Sequence, residues 1–309
     1  MGLGRSVLLR LAQSAWLRER APQYGFVKRG VRRFMPGESV EDAFAAIPAL
    51  QAHGIGAVLT ALGENVTDRT EAEAVTDHYR AVLREVAERG IPAEISIKLT
   101  HLGLDLDREF CFANLSRLIA ACPTGKTVWI DIEQSHYVDA TLEIYRRARL
   151  PGANVGVCVQ AYLRRTHADL QSLIPLGGAI RLVKGAYNEP PEIAFPRKRD
   201  VDENYFRLAQ TLLGSEALSG CLRAALATHD RILIRRVHDW ARAQGLTNAQ
   251  LEFQMLYGIQ RAEQQRLAAD GCRSAVLIAY GTYWFPWYMR RLAERPANVL
   301  FLARNLFSR

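Results

Sequence analysis

The segment NVGVCVQAYLRRTHADLQSLIPLGGAIRLVKGAY (154–187) reads as a strand, a helix and a second strand. Its ends, NVGVCVQAY (154–162) and GAIRLVKGAY (178–187), are short apolar runs rich in β-branched residues, as expected of parallel strands buried on both faces. Between them, ADLQSLIPLG carries apolar residues at helical spacing and stops at a glycine. The same unit recurs in both directions. GIGAVLTALGE (54–64), AEISIKLTHLG (93–103) and KTVWIDIE (126–133) precede it, and LRAALATHD (222–230), LEFQMLYG (251–258) and SAVLIAYG (274–281) follow. Helical patterns such as EAEAVTDHYRAVLREVAERG (71–90) and RILIRRVHDWARAQG (231–245) separate the runs. Eight strand–helix units predict an α/β fold, specifically a (β/α)8 barrel. The rival, a doubly wound open sheet, brings a glycine-rich first turn. GxGxxG is absent, and LGENV after the first run is no substitute.

The chain has 309 residues, 49% hydrophobic and 23% charged, the balance of a folded globular protein. The first 45 residues are basic and helical in pattern, broken by Pro22, Gly25 and Gly30, so the expected organisation is a helical segment over 1–45 and a barrel domain over 46–309. Five scattered cysteines without CxxC argue against a disulfide framework and a zinc site, and fit a reducing cytosol. No apolar run reaches the ~18 residues of a membrane span. In MGLGRSVLLRLAQSAWLRER, Arg5, Arg10, Arg18 and Arg20 interrupt the apolar positions, as in an amphipathic helix and not a signal peptide. Such a helix lies on an anionic membrane surface, self-associates, or caps the barrel bottom. A net charge of +8 favours anionic partners, and the absence of a nucleic-acid motif sets nucleic acid aside.

In barrels of this type chemistry sits at the carboxyl ends of the strands. The runs carry polar residues there: Lys98, Asp131 and Glu133, Gln160, then Arg181, Lys184 and Tyr187, then Thr228, His229 and Asp230, then Glu252 and Gln254. Beyond the last run come Arg290, Arg291 and Glu294. Several buried charges in one cleft need anionic ligands or one another. The cationic excess suits an anionic cofactor with a carboxylate substrate, and paired arginines suit a forked carboxylate clamp. Arg290 and Glu294 also stand four apart, the spacing of an ordinary surface helix pair. His53, His78, His101 and His167 are expected to be solvated, and Tyr283, Trp284, Phe285, Trp287 and Tyr288 either line a pocket or pack a helix on the barrel.

RLVKGAY (181–187) and WYMRRLAERPAN (287–298), with ISIKL (95–99), ATHD (227–230) and EFQMLYG (252–258), resemble proline dehydrogenase, both the monofunctional bacterial enzymes and the corresponding domain of the bifunctional proline utilization proteins. The resemblance implies a distorted barrel holding noncovalent FAD, with a final helix over its mouth. It implies oxidation of L-proline to Δ1-pyrroline-5-carboxylate, the first step of proline catabolism, with hydride transfer to flavin N5 and electrons passed to a quinone. Carried over by motif, Arg290 and Arg291 match the pair that binds the substrate carboxylate. Lys98 matches a lysine of the same ion-pair cluster, and Asp131 an aspartate near that lysine and the flavin. Tyr187 and Leu256 match residues beside the substrate, and Glu294 a glutamate close to the arginines and flavin. Gln160, Arg181, Val183, Lys184, Gly185, Ala186, Lys198, Ala227, Thr228 and His229 match contacts with FAD.

Two positions depart from the family pattern. A tyrosine four residues before the glycine matched by Gly281 is here Leu277, and one three residues before the first arginine is here Trp287. These changes point to a related activity on hydroxyproline or another cyclic imino acid as the alternative substrate reading. Two other classes compete. An aldolase-type barrel would use Lys98 as a Schiff-base lysine, but leaves RLVKGAY and the arginines unused. A binding protein for membrane or nucleic acid would use only the positive charge.

Overall fold

The computed structural model describes residues 30–149, 153–214, 217, 219 and 222–294. The basic amphipathic helix expected within 1–29 lies outside the described residues. Eight parallel strands close into one barrel in chain order. They are β1 (Gly56–Ala61), β2 (Ala93–Ile97), β3 (Val128–Ile130), β4 (Val155–Gln160), β5 (Ala179–Val183), β6 (Arg223–Ala227), β7 (Glu252–Leu256) and β8 (Arg273–Tyr280), each inside its expected run or within one residue of it. The helices are α1 (Val40–Gln51) before β1, then α2 (Arg69–Glu88), α3 (Arg108–Ala121), α4 (Val138–Ala148), α5 (Thr166–Leu173), α6 (Lys198–Leu212), α7 (Arg231–Ala243), α8 (Arg261–Ala269) and α9 (Trp284–Glu294), each after its strand. Helix α1 runs through residues 45 and 46 and packs on β1 and β8.

Aspartates start several of these helices by accepting backbone N–H groups that have no intrahelical partner. Asp68 caps α2, Asp107 caps α3 and Asp230 caps α7. The strands then sort their side chains by alternation. On β4, Val155, Val157 and Val159 join the large apolar layer between barrel and helices. The intervening residues face inward, where Val58, Trp129, Ala179, Ala225 and Ala275 form a separate inner cluster with Leu277 against it. Trp129 occupies this interior because its neighbours are small. A Cβ on Gly156 would lie 2.7 Å from the indole and 2.9 Å from the Ala179 Cβ.

Beneath Trp129 the amino ends of the strands form a charged floor. Arg223 pairs with Glu94 at 2.5 Å and Glu252 at 2.8 Å, and the Trp129 indole N–H donates to Glu94 at 2.8 Å. Burial alone would raise the Glu252 carboxyl, but Arg223 holds it below the usual carboxylate range. Glu252 therefore sits at the opposite end of the barrel from the polar residues with which the sequence grouped it, as the first residue of β7. Removing one partner of such a buried pair costs about 3–5 kcal/mol, because the other charge is left unpaired.

Candidate active site

The inward positions near the carboxyl ends of β2 to β5 carry Lys98, Asp131, Gln160 and Arg181. Arg181 is 3% exposed. Its Nη1 donates to Asp131 at 3.0 Å and to the Ser96 hydroxyl at 2.9 Å. Ser96 and Cys158 also donate to the same Asp131 oxygen, at 2.8 and 3.3 Å. The guanidinium lies over Trp129, 4.4 Å from the ring centre. Its Nε and Nη2 are buried and have no hydrogen-bond partner among the described residues. A buried donor left unsatisfied costs about 1–3 kcal/mol, so this is where the site asks for an acceptor from outside.

Lys98 follows β2 directly and ion-pairs with Glu64 at 3.1 Å, while also donating to Gly63 O at 3.2 Å. Both of these partners lie on the loop after β1, whereas Asp131 pairs with Arg181. Glu133 lies two residues beyond Asp131 and is 2% exposed. It accepts the Thr100 hydroxyl at 2.6 Å and the Thr100 N–H at 3.2 Å. Burial pushes its carboxyl up to about 7, with Lys98 and the Thr100 hydrogen bonds opposing. Gln160 is buried and donates to Glu133 O at 2.8 Å, joining the ends of β3 and β4.

A second cluster covers the ends of β5 and β6. Lys184 reaches Asp202 at 2.6 Å and Asp230 at 2.8 Å, and Lys198 pairs with the same two aspartates. Burial would raise the Asp230 carboxyl, but hydrogen bonds and charge from both lysines hold it well below its ordinary value. Val183 ends β5, and Gly185, Ala186 and Tyr187 follow it, half-buried, at the start of the next loop. Gly185 has φ +110, and a Cβ there would meet the Tyr162 ring at 2.1 Å, so only glycine fits. Glu189 secures this loop by accepting the Ser135 N–H at 2.7 Å and hydroxyl at 2.6 Å. Ala227 ends β6, and the buried Thr228 hydroxyl accepts the Asp230 N–H at 3.2 Å. His229 Nε2 accepts the Leu256 N–H at 2.9 Å, tying β6 to β7 and placing any single ring proton on Nδ1.

Helix α9 closes the β8 side. Trp284, Phe285, Trp287, Tyr288 and Met289 are buried with Val31, Phe34, Met35, Leu62 and Ala279. Most of the aromatic group therefore packs the helix onto the carboxyl ends of β1 and β8. Arg290, Arg291 and Glu294 fall in the last turns of α9, and their side chains lie outside the described residues.

The structure corrects the reading of two histidines. His101 is 7% exposed, and burial together with the Lys98 charge brings it down to about 4. His78 is half-buried, with Nε2 2.8 Å from the Tyr280 hydroxyl. His78 lies in a helical pattern and His101 just past a strand, contexts that suggest solvent, and the barrel rim covers them. Sequence reasoning also passed over Glu64 and Thr100, and noted Glu133 without giving it a role. Glu64 had a signal: it stands just past the first strand, where barrel chemistry gathers.

A model of the proline dehydrogenase family matches residues 43–304. The chain belongs to the proline dehydrogenase family. It is 36% identical to proline dehydrogenase 1 of Bacillus subtilis (strain 168) over 306 residues, 99% of each chain. It is 37% identical to proline dehydrogenase of Deinococcus radiodurans over 280 residues, 89% of each. Among solved structures, proline utilization A from Bdellovibrio bacteriovorus superposes with a TM-score of 0.79 at 23% identity, covering 87% of this chain and 33% of that one. That likeness supports the barrel.

Proposed function

We propose that this protein oxidises L-proline to Δ1-pyrroline-5-carboxylate using noncovalently bound FAD. The observation that carries the reading is Arg181, a buried guanidinium with two donor nitrogens that have no partner among the described residues, inside the barrel mouth. An electron-rich ring system or an anion above Asp131 would satisfy them. Lys184 and Lys198 suit the phosphates and their bridge, with Gly185 shaping the turn between them by letting the Tyr162 ring pack against it. Gln160, Val183, Ala186, Ala227, Thr228 and His229 would complete the cofactor's surroundings. Bound there, FAD would accept hydride at N5 from the ring carbon beside nitrogen and pass electrons to a quinone.

The protein's own part is mainly positioning. Arg290 and Arg291 would fork onto the proline carboxylate, with Glu294 and Lys98 completing the ion-pair cluster and Asp131 holding Arg181. Tyr187 and Leu256 would flank the ring. Oxidation requires the ring nitrogen unprotonated, so the site needs cationic surroundings more than a strong base. Reoxidation by a quinone would bring the protein to the inner face of a membrane, with the basic segment before Val31 as the candidate attachment, since Val31 and Phe34 are buried with α9.

A second reading is favoured by Leu277, half-buried at the end of the barrel interior where the family pattern has a tyrosine. A smaller side chain leaves room for a substituted ring, so 4-hydroxyproline is the alternative substrate. Anaerobic mixing of the purified yellow protein with a panel of cyclic imino acids tests both. Proline should bleach the flavin absorbance fastest. Protein without flavin, or flavin that no imino acid bleaches, would overturn the proposal. Acid precipitation should release all the flavin to the supernatant.

A further inference from the structure

Lys98 meets Glu64 on the loop after β1, and that loop contains a non-glycine residue with positive φ. Asn65 has φ +55. Such backbone is uncommon outside glycine, and asparagine tolerates it best. Four hydrogen bonds hold it. The Asn65 N–H donates to the Thr100 hydroxyl at 3.1 Å, and the next residue, Val66, donates to Thr100 O at 3.1 Å. The Asn65 side-chain amide donates to Asp105 at 3.1 Å and to the Tyr137 hydroxyl at 3.0 Å. Tyr137 in turn donates to Asp105 at 2.7 Å.

Thr100 stands between this loop and the interior. Its hydroxyl has one proton, which it gives to buried Glu133, and this leaves its lone pairs to accept the Asn65 N–H. Both residues flanking the contact are chemically committed. Glu133 is buried with Thr100 as its side-chain donor. Asn65 directly follows Glu64, whose carboxylate faces Lys98.

We propose that Thr100 is a positioning residue: linking buried Glu133 to left-handed Asn65, it sets where the Glu64 carboxylate meets Lys98. The proposal rests on the proline-oxidising reading for its kinetic consequence, though not for its structural one. A displaced Glu64 changes the charge that an incoming carboxylate encounters, so the effect falls on KM more than on kcat.

The test uses the full chain with Thr100→Val, which keeps the shape and loses the hydroxyl, and Thr100→Ser, which restores it. Asn65→Ala and Asn65→Gly perturb the other end without touching Glu133. Thr100→Val should raise KM for proline about ten- to a hundredfold with kcat changed much less, the scale of a small misplacement. Thr100→Ser should return KM close to the parent value. Asn65→Ala should raise KM in the same sense, and Asn65→Gly less, since glycine accepts the backbone. Hydrogen exchange over residues 62–68 should quicken in Thr100→Val and not in Thr100→Ser, whatever the substrate. With an active parent, unchanged KM in Thr100→Val, or equal losses in the valine and serine variants, overturns the inference. So does unchanged exchange in Thr100→Val. A parent that does not oxidise proline overturns the proposed function instead, and the exchange comparison still decides the positioning role.

Discussion

Leu256 and Leu277 are register partners across β7 and β8, and the N–H of Tyr257 donates to Leu277 O at 2.9 Å. Both are half-buried, and Leu277 packs against the inner cluster of the barrel. Two leucines thus stand side by side where the site would hold the apolar carbons of a ring.

Leu277→Tyr should therefore narrow specificity. The added ring fills space beside Leu256 and brings a hydroxyl into it. Differences of this size in an apolar pocket are worth about 1–3 kcal/mol. The ratio of kcat/KM for proline over 4-hydroxyproline should rise about tenfold or more. An unchanged ratio would mean that position 277 does not touch the substrate ring.

Glu133 gives the stability a pH dependence of definite sign. Its folded-state value of about 7 lies above the ordinary 4.5, raised mainly by burial. The native state thus binds the proton more tightly than the unfolded chain. The stabilisation is fully present below about 4.5 and is lost as pH rises through about 7, a change of roughly 3 kcal/mol. Glu133→Gln should remove that slope. Urea unfolding of both proteins at pH 5 and pH 8 checks it, and parallel pH dependences would refute the assignment.

Gly185 is a point where two constraints coincide, φ +110 and the Tyr162 ring. Gly185→Ala should cost about 1–3 kcal/mol from backbone strain alone and reduce flavin content in the purified protein. Adding Tyr162→Leu should recover only part of the loss, since it relieves the collision and not the φ. Full recovery in the double variant would show that the backbone is unstrained there.

The barrel was legible because strand periodicity and strand number are local properties that repeat along the chain. All eight runs became strands, and the alternation on β4 alone separates Gly156, Cys158 and Gln160 from three outward valines. Pairing was not legible. Lys98, Glu64 and Thr100 are joined by loop paths with no periodic signature, and His101 looks like a rim residue until the fold covers it. Glu252 was grouped with the mouth because a strand's polar residues do not announce which end of the barrel they face. The arginines were legible only as a motif, and the structure adds where their helix rests.

Helix α9 places Arg290 and Arg291 immediately after Met289, which is buried with Leu62 and Ala279 at the ends of β1 and β8. The helix is thus anchored to the barrel rim one residue before the pair. The proposed substrate has one obligatory anion, and adjacent guanidiniums can fork onto it. Truncating one partner of a desolvated charge pair costs about 2–5 kcal/mol, part of it from leaving the other charge unpaired. Arg290→Met or Arg291→Met should lower kcat/KM for proline by roughly two to three orders of magnitude. Flavin content should stay near normal, because Arg181 lies on β5, Lys184 directly follows it and Lys198 begins α6. Lysine at either position should rescue only in part, keeping the charge and losing the fork. Pyrrolidine, which lacks the carboxylate, should be nearly as poor a substrate for the parent as proline is for the methionine variants. Normal proline oxidation by both variants with full flavin would leave the arginines as an ordinary helix pair with Glu294, four residues beyond Arg290.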